Sequence, residues 1–179
     1  MFFYVIYWMI VYCLKNRYTY PVYELTIVMF TKIISTGGFA VAALIVCGIL
    51  LWRRRRVEAG IFFISTVGLM LSTQILKLYF HIPRPPDALV ETSGYAFPSG
   101  HAGGVMFLAL CLAYLVKNVP QTERYRLWTI LASGVLLVGI SRVLLGVHTP
   151  FQIVAGYVLG AVWAGVYVYL VRRFCASET

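Results

Sequence analysis

Long apolar runs separated by short charged or turn-rich breaks set the pattern of this chain. The clearest runs cover about 35–52, 57–79, 101–116, 127–147 and 151–171. None keeps a wide polar face, and each approaches the roughly 20 residues that a helix needs to cross a bilayer. Ahead of them, MFFYVIYWMIVYCL is apolar but short for a span. It has no basic residue before the apolar stretch and no small-residue cleavage site, so it reads as a retained anchor rather than a removed signal peptide. Lys15-Asn16-Arg17 follows, and then YTYPVYELTIVMFTKI, which carries Glu24 and Lys32 and is expected to lie along the interface. The pattern predicts an all-α, polytopic membrane helical bundle of about five to six transmembrane helices with an N-terminal interfacial helix. One domain is expected over residues 1–179, with its core motifs between 77 and 152.

Composition supports that reading. The 179 residues are 61% hydrophobic and 12% charged, against about 25% charged in an ordinary soluble domain. That leaves too little polar surface for a water-soluble protein. Fifteen Lys and Arg against six Asp and Glu give a net charge of +9, and the basic residues cluster. Arg53-Arg54-Arg55-Arg56, the group Lys117, Arg124 and Arg126, and the pair Arg172-Arg173 all fall on one side of the membrane when the spans are threaded in order. The positive-inside rule makes that side cytoplasmic. The basic excess is thereby explained by topology and contact with acidic lipid, and needs no nucleic acid. Cys13, Cys47, Cys111 and Cys175 are scattered through or beside apolar segments without metal-binding spacing, and are expected to be buried small hydrophobes. Gly37-Gly38 and Gly103-Gly104 are expected to permit close helix approach.

A second set of cations and polar groups gathers on the other face. Lys77 ends the second run, Arg84 follows in HIPRPP, Ser99, Gly100 and His101 open the third run, Arg142 lies near the outward end of the fourth, and His148 sits in the turn beyond it. Each has a plain structural reading when taken singly. Lys77 can snorkel to the interface, Arg84 can be a surface loop residue, Ser99 can simply cap a helix, and His148 can be a satisfied histidine. Arg142, alone in SGVLLVGISRVLLGV, is costly at membrane depth without a partner. Together they form a surplus of donors against which this stretch offers only Asp87 and Glu91. An anionic ligand accounts for that surplus. Guanidinium forks suit phosphate, and a helix beginning after Ser99 would aim the amides of Gly100 and His101 at the same place.

Three segments carry a specific resemblance. Lys77-LYFHIP-Arg84-Pro85, Pro98-Ser99-Gly100-His101 and Ser141-Arg142-VLLGV-His148 occur in order and on one predicted face. In sequence and spacing the chain resembles the type 2 phosphatidic acid phosphatase superfamily of membrane lipid phosphatases over roughly residues 35–170, and STGGF before the 35–52 run is also similar to relatives. The resemblance implies a metal-independent lipid phosphatase without cofactor. His148 would be the nucleophile that forms a phosphohistidine, and His101 the acid and then the base. Lys77, Arg84, Ser99, Gly100 and Arg142 would hold the phosphoryl oxygens. The shortage of Asp and Glu fits the expectation that no metal is bound, since magnesium sites need carboxylates. The site would face the periplasm from a bacterial inner membrane, and its partner would be a phosphorylated membrane lipid. Lipid A 1-phosphate and undecaprenyl diphosphate are the substrate classes expected.

One position departs from the family pattern. The family places Asp four residues after the last histidine, where this chain has Gln152. Gln152 can accept the imidazole N–H but supplies no charge, and loss of the charge behind a catalytic histidine costs a serine protease about four orders of magnitude in rate. A non-catalytic phospholipid binder or transporter that lost activity at Gln152 is therefore the rival reading. The haloperoxidases that share this pocket type are soluble and larger.

Overall fold

The computed structural model describes residues 36–86, 88, 89 and 94–175. The expected N-terminal anchor and interfacial helix, with Cys13, lie outside these residues. Five helices are described: α1 (Thr36–Trp52), α2 (Arg56–Phe80), α3 (Gly100–Leu115), α4 (Gln121–Leu144) and α5 (Pro150–Phe174). α2, α4 and α5 are long and apolar enough to cross a membrane, while α1 and α3 are shorter apolar helices. The chain is an integral membrane protein with an all-helical fold.

Four of the five helices lie within three residues of their expected ends. α4 begins six residues earlier than its apolar run, because Pro120 at its N-cap and Glu123 in its first turn start a polar turn that hydropathy misses. It stops at Leu144 rather than 147 because Gly146 turns left-handed, at φ 68°.

The helices alternate in direction, so the basic clusters share one end of the bundle. Tyr167 near the end of α5 reaches Glu58 at the start of α2, and Trp163 Nε1 donates to Ser72 Oγ halfway along, at 2.9 Å. Trp52, Tyr125 and Trp128 ring the basic end, with Arg53 over Trp52 and Arg124 over Trp128. Tyr79, Phe80, Phe97 and Phe151 form an aromatic chain at the opposite end. Aromatic side chains favour such positions because one end is apolar and the other wet.

α3 packs most extensively on α5, and glycines set that approach. A Cβ on Gly156 would run into the Ser99 carbonyl, and one on Gly160 into the Gly103 carbonyl. The Gly156-Tyr-Val-Leu-Gly160 spacing is the small-residue pattern of close helix crossings. On its other side α3 offers Gly104, where a Cβ would sit 2.9 Å from the Phe39 ring of α1. Gly103-Gly104 thus does permit close approach, to α5 and α1 respectively.

The apolar core lies toward the basic end, where Phe62 meets Phe107 and Tyr167 with ring centroids 5.5 and 5.7 Å apart. Cys111 is fully buried and Cys47 and Cys175 half-buried, and no disulfide joins them among the described residues.

Candidate active site

The end opposite the basic clusters is assembled from three local devices. The first ends α2. His81 takes a left-handed conformation and its N–H closes on the Lys77 carbonyl at 3.1 Å. Pro83 and Pro85 then forbid further helix. The loop returns where Ala96 N–H donates to the Ile82 carbonyl at 2.8 Å. Its carbonyls hold two of the cations: Lys77 Nζ donates to Tyr95 O at 3.0 Å, and Arg84 Nε to Gly94 O at 3.2 Å. Gly94 sits at φ 75°, a conformation natural to glycine. Arg84 also donates to the Val147 carbonyl at 3.3 Å, tying this loop to the histidine turn.

The second device starts α3. Ser99 is its N-cap, fully buried, with its hydroxyl accepting from Ala102 N–H at 3.5 Å. Its own N–H donates to the Gln152 carbonyl at 3.1 Å, which joins the starts of α3 and α5. The amides of Gly100 and His101 make no hydrogen bond among the described residues. They are the orphan donors that a helix N-terminus presents to an anion.

The third device explains the spacing between Arg142 and His148. α4 ends in a Schellman turn: Gly146 N–H donates to Val143 O at 2.9 Å and Val147 N–H to Arg142 O at 3.2 Å. α5 begins at once, with Thr149 as N-cap, Pro150 in the first turn, and a reciprocal capping box between Thr149 and Gln152. His148 is pinned between a helix stop and a helix start, and is 2% exposed.

Gln152 serves two groups. Its Oε1 accepts from Thr149 N–H and pairs with His148 Nδ1, both at 3.1 Å. A backbone N–H can only donate, so Oε1 is the atom that faces it, and His148 Nδ1 must carry the proton. The Nε2 lone pair of His148 is left available. Burial, and next the charge of Arg84, push the His148 pKa down to about 4. The Gln152 hydrogen bond opposes this, and Lys77 and Arg142 add to it. Burial likewise lowers Arg84 from its ordinary value.

These devices surround a cavity of about 700 Å³. Lys77, Arg84, Gly100, His101 and His148 line it, and no acidic side chain does so among the described residues. Arg142, Ser99 and Gln152 lie behind the lining. Arg142 is 4% exposed, and its charge acts on both imidazoles. All eight expected site residues therefore meet in one region, five at the surface and three in support. The N-cap role of Ser99 and the Gln152 contact to the imidazole were expected from the sequence; the Schellman turn and the capping box were missed, although their signals were present in Gly146 after α4 and in the Thr149–Gln152 spacing. Below the polar groups the cavity turns apolar, with Phe39 and Ala42 of α1, Leu69 and Met70 of α2, and Val105 and Leu108 of α3.

A helical membrane bundle with three such motifs around one cavity defines a class, and the chain belongs to it: residues 58–175 match the PAP2 superfamily. The chain is 31% identical over 132 residues to phosphatidylglycerophosphatase B of Bacillus subtilis (strain 168), covering 71% of this chain and 65% of that relative. It is also 31% identical over 83 residues to an undecaprenyl-diphosphatase of Sulfolobus acidocaldarius, covering 46% of this chain and 34% of that one. The chain thus spans less than two thirds of the length of these curated relatives. The fold is shared with the crystal structure of a transmembrane PAP2-type phosphatidylglycerolphosphate phosphatase from Bacillus subtilis (TM-score 0.78, 20% identity, covering 96% of this chain and 95% of that one). It is shared also with Aquifex aeolicus LpxE (TM-score 0.66, 19% identity, covering 92% and 93%).

Proposed function

We propose that the protein is a lipid phosphatase that releases phosphate from a membrane lipid through a phosphohistidine on His148. The observation that carries this reading is the meeting of two imidazoles and two cations on one cavity with an apolar floor. His148 Nε2 attacks phosphorus as the bond to the lipid oxygen breaks, and His101 protonates that oxygen. His101 then takes a proton from a water that attacks the phosphohistidine. The P–N bond breaks, inorganic phosphate leaves, and His148 is restored. Lys77, Arg84 and Arg142, with the Gly100 amide, stabilise the charge on the equatorial oxygens. Ser99 positions that amide as the helix cap, and Gln152 holds His148 in the attacking tautomer. Fixed cations balance the charge, so the proposed reaction uses no metal. The positive-inside arrangement of the three basic clusters supports a site on the extracytoplasmic face, the periplasmic side in a bacterial inner membrane.

Phosphate release by the protein in lipid vesicles tests this reading. The wild type should release phosphate with EDTA present, and His148→Ala should lose at least about a thousandfold in rate. Lipid binding without phosphate release would favour the non-catalytic reading, which rests on the neutral Gln152 in place of the family Asp. Full activity in His148→Ala would remove the nucleophile assignment.

A further inference from the structure

The cavity is graded along its length. Lys77, His101 and His148 lie at the top, and Leu69, Met70 and Leu108 at the bottom. Along α3 the lining runs from Gly100 to Leu108, a rise of about 12 Å. Between these levels stands Gln74, three residues before Lys77 on the lining face of α2. Its side chain is exposed to the cavity and makes no hydrogen bond among the described residues. The neighbouring Thr73 hydroxyl, by contrast, is engaged with the Leu69 carbonyl at 2.7 Å. A carboxamide brings two donors and an acceptor, and leaving them unmet at membrane depth is unfavourable.

Resting on the phosphatase reading, we infer that Gln74 reads the linker between phosphate and tail, and that this linker is polar and uncharged. Gln74 lies about 4.5 Å below Lys77 along the helix axis. At that depth a glycerol ester or a sugar presents carbonyl or hydroxyl oxygens. A polyprenyl diphosphate presents a second, charged phosphate there instead. No cation lines the cavity below Lys77 and Arg84 among the described residues, so that second charge would rest against a neutral amide in an apolar groove, a costly arrangement. The pocket is therefore built for a monophosphate joined to its tails through hydrogen-bonding atoms.

The test compares three lipids in vesicles: phosphatidate, a sugar-linked 1-phosphate lipid and a polyprenyl diphosphate. Each is presented to the wild type, Gln74→Leu and Gln74→Asn. Gln74 is exposed and makes no bond within the described protein, so Gln74→Leu should fold normally. It should lose about tenfold in kcat/KM on the glycerol-linked or the sugar-linked lipid, whichever the wild type prefers, and keep its rate on the diphosphate. Gln74→Asn should recover part of the loss. The preferred lipid tells glycerol from sugar. Equal change on all three lipids, no change on any, or a wild-type preference for the diphosphate would overturn the inference while leaving the phosphatase reading intact. Absence of phosphate release from every lipid by the wild type would instead bring down the phosphatase reading, and the inference with it.

Discussion

The two ends of the bundle both place charge among apolar helices, and they do so in opposite ways. At the basic end Glu58 is 2% exposed, and it is closed off completely: Arg55 pairs with it and Tyr167 Oη donates to it at 2.8 Å. Phe62 and Tyr114 pack edge-on against Tyr167, Phe107 backs Phe62, and Tyr167 is fully buried. At the other end Lys77, Arg84, His101 and His148 face an open cavity of about 700 Å³. A buried charge held by its own partners is a structural lock. Cations and imidazoles arranged around open space are arranged for something that is to enter. The contrast separates stability from chemistry along one molecule.

Apart from removal of the nucleophile itself, the largest effect is expected where the two ends share a joint. Gly160→Val puts a side chain into the Gly103 carbonyl and forces α3 away from α5. His101 rides on α3 and His148 leads into α5, so phosphate release should fall by about a hundredfold or more, and the melting temperature with it. A near-normal rate would show that the close crossing does not hold the two histidines together.

An intermediate effect is expected at Gln152, where Gln152→Glu keeps the length of the side chain and adds charge. His148 is held at about 4 in the folded protein, below its value of about 6.5 when unfolded. Its neutral burial therefore contributes stability that is fully present above about pH 6.5 and is lost as pH falls toward 4, by up to about 1.4 kcal/mol per unit. A carboxylate beside Nδ1 raises the folded value and narrows that window. The acid limb of kcat/KM should move up by about 1–2 pH units, and the melting temperature should drop less between pH 7 and pH 5 than in the wild type. Superimposable profiles would contradict the Gln152–His148 coupling.

The smallest effect on rate is expected at the lock. Tyr167→Phe removes one hydrogen bond to the buried Glu58 and should lower stability by about 1–3 kcal/mol. At moderate temperature kcat/KM should stay within about twofold of normal. A large loss of rate without loss of stability would join the two ends functionally.

Much of this contrast was legible in the residues themselves. Hydropathy placed the five described helices because apolar length is what a bilayer selects, and the basic runs ordered their ends. The motif spacings brought Lys77, Arg84, His101 and His148 to one place. Other parts depend on the third dimension. The Glu58–Tyr167 pair joins residues 109 positions apart, and no periodicity marks it. Gln152 stood out as a departure from the family pattern, whereas its second task went unread: the Thr149–Gln152 spacing of a capping box is in the sequence, but hydropathy places the apolar run and not the cap that closes its start. The groove below the phosphate level is a gap between α1, α2 and α3, and Gln74 gains meaning only when that gap has walls.

The most direct measurement is chemical trapping. The vesicle-bound protein would be given a lipid carrying radiolabelled phosphate, quenched during turnover under alkali, and the labelled peptide mapped. The label should appear on His148 and be absent from His148→Ala, which should also fail to release phosphate. Label on any other residue, or normal turnover by His148→Ala, would contradict the account.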